Sequence, residues 1–472
     1  MHLAPPSHPG HLELLDVSSK VLSNIIVQRL HKVAEKVLGE DQNGFRHRRG
    51  CADATFAVLQ ALRKRREHGQ QTWVTWIDLV RAFDSVPRPV LWACAQKMGV
   101  GTKLLDAIRR LHDGATMEFD IGGAKGSTPS RLGVRQGSSE GPLLFLLIMQ
   151  AALESIKWPA NITPPTFLTG AEGKVTGEKF NREEGATPFE IRQVLFADDA
   201  ALLWATRQDL CAGSQLVIEH LRRYGLEVHT GTEKVLSKTE CQFFPAKGET
   251  QEDGDTSPVQ LGGGRLLSFC TKFKYLGTTI PSDLDPAVEI TTRLGKAQGA
   301  FRVMRRVLTD RKLALQTRAK IYKVLVLTVL LYGSESWALT ATHQQKLASF
   351  HRRCLRSMCH TNLFKTRVHR VTTAALLERA GLEPLIFYLD RRMITWAGKV
   401  ARMSMDRVPR RMLTAWLPCK RPRGCAKTWG AALNEALKRR GIPTKLDIWM
   451  AMARDPDDMS WLNAKNHAKA RK

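Results

Sequence analysis

Hydrophobic residues recur along this chain in two rhythms, and the rhythms divide it. Over Thr72–Leu79 apolar and polar positions alternate, with Trp73, Thr75, Ile77 and Leu79 on one side and Val74, Trp76 and Asp78 on the other. That period of two predicts a strand. Val194–Leu203 reads as two short apolar runs flanking Asp198-Asp199, which predicts a β-hairpin with both carboxylates at its turn and Val194, Phe196 and Asp198 on one face. Met117–Ser130 predicts a hairpin turning at Gly122-Gly123, and Phe273–Ile280 predicts a single strand. Helical spacing runs through Leu14–Leu38, Ala52–Glu67, Val90–Met98, Lys103–Leu111, Pro142–Ile156 and Asp209–Tyr224, the last stopped by Gly225. Residues 158–189 and 246–264 are rich in proline, glycine or polar residues and predict loops. Strand signals nearly vanish after Asp283. Ile290–Leu308, Lys312–Leu331 and Gln344–Cys359 predict helices, followed by helical segments broken at Pro409, Pro418 and Pro422. The pattern is α+β, an antiparallel sheet packed on helices and then a helical region.

A chain of 472 residues is long enough for more than one core, since single cores stop growing near ~250–300 residues. Nine scattered cysteines do not suggest a disulfide framework and fit an intracellular protein. Cys354, Cys359 and His360, and Cys419 with Cys425, lack zinc-site spacing. No secretion leader is visible, and the longest apolar runs, Pro142–Met149 and Val324–Tyr332, fall far short of the ~20 residues that span a bilayer, so no membrane partner is expected. The charge is more telling. Residues 291–472 hold 38 Lys and Arg against 11 Asp and Glu, whereas residues 1–290 hold 34 of each. The excess of +27 therefore belongs to the last part of the chain, where a polyanionic partner is the natural inference. There Arg352 and Arg353 lie on a predicted helix, and Arg421 and Arg423 lie between Trp416 and Trp429, a basic and aromatic mixture suited to nucleic acid.

Asp78 gives the Asp198-Asp199 turn a partner. Neighbouring strands lie about 4.8 Å apart, and two-metal sites hold their ions roughly 3.5–4 Å apart. If the strands pair, Asp78 and Asp198 could share two cations. A hard cation that keeps its waters and binds phosphates wants one or two carboxylates rather than a closed cage, which is the composition of a phosphoryl-transfer site.

The residues around these carboxylates resemble the palm motifs of reverse transcriptases, most closely those of non-LTR (LINE-like) retrotransposons. Asp78–Val86 is similar to their motif A, with the pattern Asp-x-x-x-Ala-Phe-Asp-x-Val. Gly133-Val134-Arg135-Gln136-Gly137 followed by Gly141-Pro142-Leu143-Leu144-Phe145 resembles motif B, and Phe196-Ala197-Asp198-Asp199 resembles motif C. Ser237-Lys238-Thr239-Glu240 resembles motif D, Phe273-Lys274-Tyr275-Leu276-Gly277 motif E, and Gln42–Arg49 a fingers motif. Six blocks in the family's order are far more specific than any one of them.

The resemblance implies a right-hand polymerase, with partial fingers over residues 1–70, palm over 71–282, helical thumb over 283–360 and a basic helical region over 361–472. It implies an RNA-directed DNA polymerase using Mg²⁺, with Mn²⁺ as an alternative, on an RNA template, a DNA primer or target, and deoxynucleoside triphosphates. Asp78, Asp198 and Asp199 would hold the metal, Lys238 would serve as proton donor, and Phe83, Gln136, Gly137 and Arg46 would meet the nucleotide. Three departures stand out. Gly10-His11-Leu12 falls where the family has Arg-Pro-Ile, Ser138-Ser139-Glu140 adds a negative charge to motif B, and no endonuclease domain is expected here. An inactive nucleic-acid-binding relic and a group II intron maturase-like protein are the alternatives.

Overall fold

A computed structural model of the chain describes residues 17–121, 124–135, 137–170, 186–419 and 428–466. Its organising element is the strand Thr72–Ile77, in which every residue is buried. The sequence TWVTWI, aromatic and β-branched throughout, suits a strand covered on both faces. It lies inside a six-stranded sheet ordered Gln193–Phe196, Asp199–Trp204, Thr72–Ile77, Glu240–Phe244, Leu266–Phe269, Val259–Gln260. All neighbours are antiparallel except Leu266–Phe269, which runs parallel to Glu240–Phe244.

The alternation read from the sequence is the alternation seen. Trp73, Ile77 and Leu195 face a core built with the Gly141–Glu154 and Arg207–Arg223 helices, while Val74, Trp76 and Val194 face a second core with the Cys51–Glu67 helix. Trp76 stacks on Phe273 with ring centroids 4.8 Å apart and donates from Nε1 to Gln242 at 3.0 Å. On the opposite face Thr75 Oγ1 lies 2.7 Å from Ser214 Oγ and accepts from Trp204 Nε1 at 3.0 Å. A Cβ at Gly213 would sit 2.3 Å from the Trp204 ring, so only glycine lets this helix come so close to the sheet.

Three segments differ from the sequence expectation. Phe273–Ile280 is not one strand but a hairpin, Lys272–Tyr275 against Thr278–Pro281, because Leu276 and Gly277 both take positive φ (47° and 81°). The ends of the 158–189 segment pair as strands Thr166–Gly170 and Ala186–Glu190. Val259–Gln260, inside the 246–264 segment, joins the edge of the sheet. The Thr116–Ile121 and Ala124–Pro129 hairpin is present, and Gly122-Gly123 lies outside the described residues.

Beyond Pro281 the described residues hold helices and no strand. A third core runs from Ile290 to Leu389, and a fourth takes over at Met393. Both draw on one helix, Leu385–Ala401, so the packing divides within that helix rather than at residue 360. The fourth core also captures Phe56 from the Cys51–Glu67 helix, edge-on to Trp396 at 5.5 Å and Trp429 at 5.0 Å. Beside it the fully buried Asp53 is paired with Lys399 and Arg407, each at 2.7 Å. The C-terminal helices are thus fastened to the N-terminal part of the chain by an aromatic plug and two ion pairs. Among the described residues no helix is long and apolar enough to cross a membrane.

Candidate active site

Strand register brings the acidic residues together. Ile77 is opposite Ala200, so the next pair along, Asp78 and Asp199, falls at the ends of adjacent strands. Phe196 pairs with Asp199, which makes Ala197-Asp198 the two-residue turn and Asp199 the first residue of the returning strand. The sequence pattern places both carboxylates in the turn. The one-residue difference matters, because it turns Asp199 toward Asp78 across the sheet.

The electrostatics show three charges sharing one neighbourhood. Burial pushes the Asp198 carboxyl above its usual range, and the charge of Asp78 adds to the rise. Asp199 is pushed up to about 6, first by the dense walls around it and then by Asp198 and Asp78. Asp199 still has exposed surface, so water screens part of this repulsion. None of the three forms a salt bridge among the described residues. Repelling carboxylates without a basic partner fit a divalent cation, whose charge would oppose the rise at Asp198 and Asp199. Among the described residues no three His, Cys, Asp or Glu side chains form a ready-made metal cage, and an Mg²⁺-type site completed by phosphates and water does not need one.

Backbone contacts fix both sides of the cluster. Asp78 donates its N–H to Thr239 Oγ1 at 3.0 Å, and its carbonyl accepts from the His229 N–H at 2.8 Å. Lys238, next to Thr239, is exposed, and its N–H donates to His229 Nδ1 at 3.2 Å. The loop carrying the expected proton donor is therefore bonded directly to the strand end carrying Asp78.

The turn is held from the other side by residues that no sequence motif singled out for this role. Ala197 stands at φ 57°, unfavourable for a residue with a Cβ. The side chain of Gln42, 1% exposed, satisfies both of its backbone groups. Oε1 accepts from the Ala197 N–H at 2.9 Å and from the Gly44 N–H at 2.8 Å, and Nε2 donates to the Ala197 carbonyl at 3.3 Å. A Cβ at Gly44 would lie 2.3 Å from Ala197 N. Asn43 N–H donates to Leu195 O and Leu195 N–H to Asp41 O, so Asp41–Gly44 runs alongside the hairpin as a clamp. In the sequence this stretch is a polar turn before a basic cluster, and the only clue is that an Asn-Gly turn so rich in amides is costly to bury.

Arg46 requires a correction. It is buried, with a bidentate ion pair to Glu35 (2.8 Å at the closest) and further bonds to the carbonyls of Leu38, Gly39 and Gln42. Each nitrogen of its guanidinium bonds within the chain, closing the helix Val17–Val37 onto the clamp, so Arg46 serves here as a buried structural residue.

Motif B is laced to motif A. Val134 N–H donates to Phe83 O at 2.9 Å and Gly133 N–H to Val86 O at 2.8 Å, and a Cβ at Gly133 would sit 2.7 Å from Phe83 O. Phe83 is half-buried, packed on Phe145 at 4.6 Å and edge-on to Phe45 at 6.4 Å. Gly137 follows at φ 78° and is exposed, while Gln136 lies outside the described residues. The unusual Glu140 does not add a free negative charge. It is fully buried and paired with Arg135 at 3.2 Å.

Arg352 and Arg353 stand on the helix Ala341–Met358 in the third core, away from the sheet's cores. Arg352 donates to Ser349 Oγ, and Arg353 lies over Phe350. Arg421 and Arg423 lie outside the described residues. Trp429 is buried and donates to Glu335 O at 2.7 Å, so it is a packing residue.

The family model of the reverse transcriptase (RNA-dependent DNA polymerase) matches residues 10–280. Over 288 residues the chain is 25% identical to a retrovirus-related Pol polyprotein from type-1 retrotransposable element R2 of Nasonia vitripennis, covering 59% of this chain and 25% of that one. Over 352 residues it is 25% identical to the RNA-directed DNA polymerase from mobile element jockey of Drosophila melanogaster, covering 73% and 34%. The chain thus spans about a quarter to a third of the length of these relatives. Apo telomerase from Candida tropicalis matches in structure with a TM-score of 0.40 at 11% identity, covering 94% of this chain and 61% of that one.

Two outcomes are expected from this geometry. Because the folded pKa of Asp199 lies near 6 and the unfolded value near 4, protonation favours the folded state, and that contribution is lost as pH rises through 6. Without divalent ions, Asp199→Asn should raise the melting temperature above pH 6, with the gain shrinking as pH falls toward 4, measured by thermal unfolding across pH. Gln42→Leu strands the Ala197 N–H and C=O and the Gly44 N–H, and should cost about 1–3 kcal/mol for each group left without a partner, read from urea denaturation.

Proposed function

The chain belongs to the reverse transcriptase family, and from that premise we propose that it catalyses RNA-templated DNA synthesis as the polymerase part of a non-LTR retrotransposon protein. The observation that carries the proposal is the convergence of Asp78, Asp198 and Asp199 at adjacent strand ends, where each raised carboxyl feels the charge of Asp78. Reverse transcriptases work with divalent metals, and Mg²⁺, with Mn²⁺ as an alternative, is the cation proposed here.

Asp78 and Asp198 would hold the metal pair, with Asp199 supporting the cluster. Bound there, the cations would lower the pKa of a primer 3′-hydroxyl and neutralise the triphosphate. The chain's own groups do the rest. The Gln42 clamp and the Thr239 bond keep the carboxylates from spreading apart under their own repulsion. Lys238, exposed on the loop bonded to Asp78, would protonate departing pyrophosphate. The ring of Phe83, braced by Phe145 beside motif B, offers a flat wall to the sugar, against which a 2′-hydroxyl would clash. Gly137 leaves the backbone after Gln136 open to close approach by a nucleotide. Nucleic acid would be held by the basic part of the chain, including Arg352, Arg353, Arg421 and Arg423. RNA as template and DNA as primer are part of the same proposal, supported by the family and by the activity in the jockey relative's name.

Asp78→Asn and Asp198→Asn should each abolish Mg²⁺-dependent primer extension on a poly(rA) template while leaving template affinity within about twofold, measured by anisotropy. Extension that survives either change would remove the metal assignment. An inactive wild-type chain that still binds template would favour the relic. Phe83→Ala should raise ribonucleotide incorporation relative to deoxynucleotide incorporation by at least about tenfold in single-nucleotide assays, as expected when a steric wall is removed. Unchanged sugar discrimination would refute the gate.

A further inference from the structure

A groove of about 500 Å³ opens between the thumb-side helices and the C-terminal helices, and none of the three carboxylates lines it. Its floor is apolar and aromatic, formed by Leu327, Leu331, Tyr388 and Trp396. Its rim carries five cations. Two of them are spoken for, Arg392 by Glu335 at 3.4 Å and Lys399 by Asp53 at 2.7 Å. The other three, Lys323, Arg391 and Lys465, have no salt-bridge partner among the described residues.

Two more observations bear on this groove. Trp396 is 5% exposed, so it lends the groove a packed aromatic floor rather than a free polar group, and its buried Nε1–H has no hydrogen-bond partner among the described residues. One wall is the segment Lys323–Leu327, wound as a π-helix, a rare geometry frequent at functional sites. The groove also lies next to the catalytic end of the sheet. Tyr332, adjacent to Leu331, donates its hydroxyl to Leu276 O in the turn of the Lys272–Pro281 hairpin, and Lys399 reaches Asp53 in the first turn of the helix whose Cys51 senses the charge of Asp199.

We propose that this groove binds a segment of single-stranded nucleic acid, with phosphates on Lys323, Arg391 and Lys465 and an unstacked base against Tyr388. Unpaired cations around an aromatic floor are the chemistry of single-strand sites, where bases stack and the backbone tracks positive charge. The volume suits a base with its sugar and phosphate and is far too small for a duplex. An apolar peptide would leave three cations uncompensated, and a free phosphate would leave the aromatic floor unused. The site rests on the nucleic-acid-binding role proposed above for the basic part of the chain but uses residues other than Arg352, Arg353, Arg421 and Arg423, and it can be tested apart from polymerase activity on a chain in which Asp198 is replaced.

The test uses the full chain carrying Asp198→Asn, with fluorescein-labelled oligo(U) and oligo(dT) as probes and anisotropy as the readout at several salt concentrations. Lys323→Glu with Arg391→Glu should weaken binding of at least one probe by tenfold or more. The slope of log affinity against log salt should fall by about 1.4, some 0.7 for each single-strand phosphate no longer neutralised. Arg222→Glu with Arg223→Glu, the same charge change on an exposed helix end outside the groove, should leave both nearly unchanged. Circular dichroism melting of each variant separates loss of binding from loss of fold. Equal affinity and slope in the groove variant would overturn the proposal. So would an equal loss in the helix-end variant, an equal loss of affinity for a blunt duplex, or full competition by uridine monophosphate at the same nucleotide concentration.

Discussion

Like charges forced together at the ends of adjacent strands are the constraint on which this structure depends. Two unit charges about 4 Å apart near a protein surface repel by roughly 4 kcal/mol, less where water reaches them. Left to itself, a hairpin tip with two carboxylates would swing away from a third. It is held because the strand delivering Asp78 is buried along its whole length, and each large apolar side chain in it returns about 1.5–3 kcal/mol. A few such residues outweigh the repulsion. The sheet is thus more than a platform, since its packing maintains an unfavourable charge arrangement that a divalent cation would relieve.

The same logic explains the clamp. A turn with Ala197 at positive φ has little intrinsic preference for its shape, and a free hairpin would relax. Asp41–Gly44 supplies the missing bonds from a segment about 155 residues away in sequence, and Arg46 anchors that segment to the first helix. Arg46, which reads as a nucleotide contact in the sequence, instead anchors the segment that holds the Ala197 turn. The C-terminal helices are tied to the same region through Phe56 and Asp53, so the basic part of the chain does not hang free of the helix Cys51–Glu67 that packs on the sheet.

This also changes how the positive charge is read. Part of the excess is internal. Lys399 and Arg407 neutralise Asp53, while Arg439 and Arg440 flank the buried Asp390. What remains for a polyanion is narrower than the net charge suggests, and it includes the groove bordered by Lys323, Arg391 and Lys465.

Period-two alternation around Asp78 and around Asp198-Asp199 was enough to determine which faces meet, because one face of a strand can be buried only with its own set of side chains. The order of the short motifs determined the family, and the loss of strand signals after Asp283 determined where the helices begin. Tertiary structure alone decided that Asp199 rather than Asp198 opens the returning strand, since that rests on a one-residue register and on a positive φ maintained by Gln42. It likewise decided that Arg46, read as a nucleotide contact, and Glu140, read as an added negative charge, are buried ion-pair partners. A charged side chain written in a sequence carries no mark of its partner, and only the folded chain brings Glu35 and Arg135 within reach.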